Sequence, residues 1–85
     1  MGLFDKKKAN PANKPLPNGE HEALAQKIAA QARQKRITSD EAFMQVIADV
    51  TTSSLLFARN PMILNDMDIM TKIMMRSVAI MESKL

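Results

Sequence analysis

The sequence predicts an all-α protein: a three-helix small domain, made of a helical hairpin and a Met-rich C-terminal helix, behind a flexible basic N-terminal arm. Three observations predict it. Apolar residues recur three and four positions apart over residues 24–32, 43–58 and 67–81, the period of one helical face. Helix-start residues precede each stretch, at Asn18, Thr38 and Asn60. Three of the four prolines fall within residues 9–19, ahead of the first stretch. Residues 1–18 are therefore expected to form the arm and 19–85 the helical domain, with helices over about 19–36, 39–58 and 61–84.

Pro11, Pro15 and Pro17 each remove a backbone donor and bias the preceding residue away from helix, so the arm is expected to be extended and mobile. Its large apolar side chains are Leu3, Phe4 and Leu16, too few to offset the entropy of ordering it. Asn18 or Gly19 then caps the first helix. Glu20 and Glu22 stand in its first turn and Arg33, Lys35 and Arg36 at its end, an order that complements the helix dipole. Its apolar stripe, Leu24, Ala25, Ile28 and Ala32, is thin and predicts shallow packing.

The second helix opens on Thr38, with Glu41 three residues on as a capping box and Ile37 and Ala42 as a hydrophobic staple. Its core face reads Phe43, Val46, Ile47, Val50, Phe57 and Ala58. The run from Val50 through Ser54 has poor helix propensity, which allows a break there. Asn60-Pro61 ends this element or opens the next. Along the third helix, Met67, Met70, Met74, Val78 and Met81 form one seam and Ile69, Ile73 and Ile80 a second beside it. One seam is expected to pack on the second helix. The other is left for a partner.

Charge divides the chain in two. Through Ile37 eight Lys and Arg face three acidic residues, a local +5, whereas from Thr38 onward four face six, a local −2. Lys6, Lys7, Lys8, Lys14, Arg33, Lys35 and Arg36 are the candidate contacts to an anionic surface. With no cysteine, disulfides and thiolate metal sites are excluded. No run of about eighteen apolar residues or signal-peptide pattern is present, which leads us to expect a protein of the cytoplasm or of a particle assembled there.

Catalytic and metal templates fail. His21-Glu22 begins like a zinc-binding His-Glu-x-x-His helix, but Ala25 occupies the second ligand position. Asp66 and Asp68 lack the glycine and distal glutamate of a calcium loop. No spacing brings a nucleophile and a base together, so neither enzymatic activity, cofactor, metal nor small-molecule substrate is expected. A helix-turn-helix over residues 33–58, with Val50 to Leu55 starting a recognition helix, is short of phosphate-binding Arg and Lys and has Asp49 where the tight turn usually has glycine.

Two resemblances bear on function. Met1-Gly2-Leu3-Phe4 followed by Lys6-Lys7-Lys8 resembles the first residues of several peripheral membrane-remodelling proteins, although Lys6 stands where myristoylation favours Ser or Thr. Residues 24–47 resemble the helical hairpins called SHOCT oligomerisation domains, whose turn reads as Ile37-Thr38-Ser39-Asp40-Glu41-Ala42-Phe43 does here, with Arg36 at the position commonly held by glycine. That second resemblance implies a helical module for association. The expectation is a non-enzymatic assembly or adaptor subunit that binds a protein partner or a second copy through Met67, Ile69, Met70, Ile73, Met74, Val78, Ile80 and Met81. The alternatives are a small DNA- or RNA-binding regulator using the basic front half, and a peripheral membrane protein.

Overall fold

A computed structural model describes residues 14–83 of the chain and shows an all-α domain. In chain order the elements are α1 (Gly19–Lys35), α2 (Asp40–Thr52), α3 (Leu55–Arg59), a 3₁₀ turn (Pro61–Asn65) and α4 (Met67–Ser83). The expected arm up to residue 13 lies outside the described residues.

Asn18 caps α1 through its side-chain oxygen, which accepts from the Glu20 and His21 N–H groups at 2.8 and 3.2 Å. Contrary to the expected shallow packing, α1 is the central helix and lies against both α2 and α4. Leu24, Ala25, Ile28, Ala29 and Ala32 are all buried. Alanine makes this possible, because small side chains let neighbouring helices approach on two sides without demanding volume. Leu16 is also held: it packs against the core, and its N–H donates to a Glu22 carboxylate oxygen at 2.9 Å. The last residues of the expected mobile arm thus belong to the domain.

Arg36 ends α1 in the left-handed conformation, φ 53° and ψ 46°, with its N–H directed to the Ala32 and Arg33 carbonyls. This conformation ordinarily favours glycine. The chain reverses there into α2, whose cap is Ser39 and not Thr38: the Ser39 hydroxyl accepts from the Ala42 N–H at 3.1 Å. The capping box fails because the third helical position is then Ala42, which has no carboxylate to reach back.

The expected single helix over 39–58 is broken by its own hydroxyls. Thr52 Oγ1 donates to the Ala48 carbonyl at 2.9 Å, and Ser54 Oγ donates to the Thr51 carbonyl at 2.6 Å. Such side-chain bonds compete with continued helix, and Ser54 then caps α3 by accepting from the Phe57 N–H. The break turns Ala58, expected in the core, out to solvent and leaves Phe57 half-buried, while Thr51 is buried in its place.

Asn60-Pro61 opens the 3₁₀ turn, and Ile63 alone among the turn's residues is buried. The cap of α4 is Asp66, whose carboxylate accepts from the Ile69 N–H at 3.1 Å. Glu22 meets Arg76, and Ala29 and Ala30 line one groove with Ile80, so α1 and α4 run in the same direction. α4 packs chiefly on α1 and not, as expected, on the second helix.

Candidate interaction surface

The two seams of α4 have different environments. Wound at about 100° per residue, Ile69, Ile73 and Ile80 share an arc of roughly 40°, and the seam of Met67, Met70, Met74, Val78 and Met81 is centred roughly 120° further round. Ile73 is fully buried and Ile80 buried, whereas Ile69 is half-buried against the same core. Ile73 and Ile80 are therefore spent inside the fold, while Ile69 keeps some contact with solvent. Met70, Met74, Val78 and Met81 are half-buried at the edge of the core, and Met67 is 73% exposed.

Further apolar surface precedes α4 along the chain. Leu55 is 81% and Met62 64% exposed, and Leu64 is also exposed. Sequence reasoning missed these residues because it carried one helix through residue 58 and began another at 61. The capping signal at Ser54 was the clue to their exposure. Leu55 and Leu56, with Ala23, Leu24 and Lys27 of α1, line an open pocket of about 220 Å³. A wider groove of about 570 Å³ is lined by Gln26, Ala29, Ala30, Arg33 and Gln34 of α1 and Ile80 of α4.

The basic residues do not form one patch. Arg33, Lys35 and Arg36 are exposed together at the end of α1, while Lys14 is exposed before the start of that helix. Lys6, Lys7 and Lys8 lie outside the described residues. His21 is half-buried, and among the described residues no group of three His, Asp or Glu is placed to hold a metal ion. The helix-turn-helix does not form: Val50 to Thr52 close α2, Thr51 is buried, and α3 is five residues long, too short to fill a major groove.

One polar feature sits within the helix packing. Arg76 of α4 reaches Glu22 of α1: Nε donates to the two carboxylate oxygens at 2.9 and 3.1 Å and a terminal nitrogen to one of them at 2.9 Å. The side chains are 11% and 14% exposed. Gln26 also donates to Glu22. The Arg76 hydrogen bonds, aided by those from Leu16 and Gln26, outweigh burial and lower the Glu22 carboxyl from 4.5 to about 2. This clamp joins α1, α4 and the residues before α1. A second pair, Arg59 with Glu20, is exposed.

Comparison with protein-family models, curated proteins and solved structures finds no match to this chain. Among the described residues no helix is long and apolar enough to cross a membrane.

Proposed function

We propose that this chain is a non-enzymatic helical assembly or adaptor subunit that associates through the methionine seam of α4, with basic residues docking to an anionic or protein surface. The observation that carries this reading is the unequal use of α4. Ile73 and Ile80 fill the core, while Met67, Met70, Met74, Val78 and Met81, with Ile69 at the start of the other row, stay at least partly open to solvent. Methionine is unbranched and polarizable, and it recurs on surfaces that must fit a partner. Arg33, Lys35 and Arg36 project from one end of the bundle, where they can meet negative charge without disturbing the core.

The test is a pair of charge insertions about 100° apart on one helix. Ile73→Asp places a carboxylate in the core and should abolish cooperative folding, because an ion buried without a partner is strongly disfavoured. Met74→Asp should keep the helical circular dichroism of the parent and lose association, read by light scattering or co-purification. A Met74→Asp protein that folds and associates as the parent does would remove the seam from the reading. The exposed cluster at the end of α1 also supports a nucleic-acid partner. In that case affinity should fall log-linearly with salt through counterion release, and Met74→Asp should leave it unchanged.

A further inference from the structure

We infer that the partner of the methionine seam is a second copy of the chain, with α4 packed antiparallel on its own copy across a twofold axis at Met74. This inference rests on the association proposed above and specifies its occupant. The seam has a symmetry that a contact with a different protein does not require. Met67, Met70, Met74, Val78 and Met81 are spaced three, four, four and three residues apart, a pattern that reads the same in both directions about Met74. An antiparallel twofold contact therefore sets Met67 against Met81 of the second copy, Met70 against Val78, and Met74 against itself. Every pairing is apolar with apolar.

Charge points the same way. In a twofold contact the patch must complement itself, so any ion near the axis meets its own kind. The seam and its neighbour Thr71 carry no charge; Asp68 and Lys72, the exposed ionic residues of α4, lie roughly 120° and 160° round from its centre, and Glu82 flanks only its C-terminal end, two turns from Met74. A partner recognised by charge would need complementary ions within the seam, and there are none. Ile73 and Ile80 are already buried in the core, so a second copy does not have to complete it.

The absence of cysteine from the sequence makes the register directly testable with single cysteines in the full chain. A disulfide requires Cα atoms about 4.4–6.8 Å apart. At about 1.5 Å rise per residue, two Met67 positions related by an axis at Met74 are separated by roughly 21 Å along the helices, and so are two Met81 positions. Under mild oxidation Met74→Cys should cross-link to itself. Met67→Cys and Met81→Cys should each fail to do so alone but should cross-link when mixed.

Sedimentation of the wild-type chain should give twice its mass of 9.5 kDa. A wild-type monomer at millimolar concentration overturns the inference while leaving association with another protein to be decided by the Met74→Asp test. A dimer that cross-links through Met67→Cys alone, or not through a folded Met74→Cys, overturns this register and axis. A dimer unaffected by Met74→Asp counts against both this inference and the proposed function.

Discussion

Replacing Arg76 by methionine keeps most of its aliphatic volume and removes the guanidinium, so it isolates what the clamp contributes. Glu22 would then keep the Leu16 and Gln26 donors and lose three short bonds from Arg76. The depression of Glu22 from 4.5 to about 2, net of the opposing effect of burial, corresponds at about 1.4 kcal/mol per pH unit to roughly 3 kcal/mol. Both side chains retain some contact with water, which screens the pair, so we expect a loss of about 1–2 kcal/mol at neutral pH. The sign of the pH dependence follows from the direction of the shift. A carboxyl depressed in the folded state contributes stability that is fully present above its unfolded value near 4.5 and is lost as pH falls toward 2. Urea denaturation of parent and Arg76→Met from pH 7 to pH 2 checks it. The gap between the two curves should be widest at neutral pH and should narrow through that window. Equal midpoints at pH 7, or a gap that does not narrow on acidification, would refute the clamp as described.

The remaining predictions concern local structure. Ser39→Ala should cost about 0.5–2 kcal/mol, the usual range for a lost helix cap, and Thr38→Ala should cost less; the reverse order in thermal denaturation would move the start of α2. Arg36→Gly should stabilise the domain by about 0.5–1 kcal/mol, because it relieves the left-handed backbone at φ 53°, and a lower melting temperature would count against that conformation. The Thr51 hydroxyl is buried without a hydrogen-bond partner, so Thr51→Val should be neutral or stabilising by up to about 1 kcal/mol. A clear loss in the same assay would mean that the hydroxyl is satisfied in solution.

Much of the fold was legible because it rests on local rules. Asn18 caps α1, the apolar period places Phe43, Val46 and Ile47 inside, and the hydroxyl run after Val50 marks the break between α2 and α3. The cap of α2 was misplaced by one residue because Thr38 and Ser39 are both good caps, and only the helix start selected by tertiary packing separates them. The role of α1 was misjudged for a different reason. Counting large side chains ranks Ala25, Ala29 and Ala32 as a weak face, yet alanines placed between two helices are what permit close approach on both sides. The Glu22–Arg76 pair was illegible, since its members are 54 positions apart and each has a plausible solvated role on its own helix. The site was half legible: periodicity separated the two seams of α4, but burial was needed to show which one the core consumes.

That division follows the chemistry of the two side chains. Isoleucine is branched at Cβ and restricted in its rotamers, so it suits positions whose neighbours are fixed, and Ile73 and Ile80 face the alanine-lined side of α1. Methionine has three flexible torsions and loses more rotamer freedom when buried, so it is a poor choice for a surface that must be unique and a good one for a surface that must adapt. A helix needing only to complete its own core would gain from branched residues on both rows. Here the flexible residues occupy the row at the edge of the core, four of its five positions being methionine, and the row continues to the exposed Met67. The mirrored spacing about Met74 narrows the choice of neighbour further, because an adaptable row that is also symmetric along its length can accommodate its own copy without leaving a polar group or an apolar side chain unmatched.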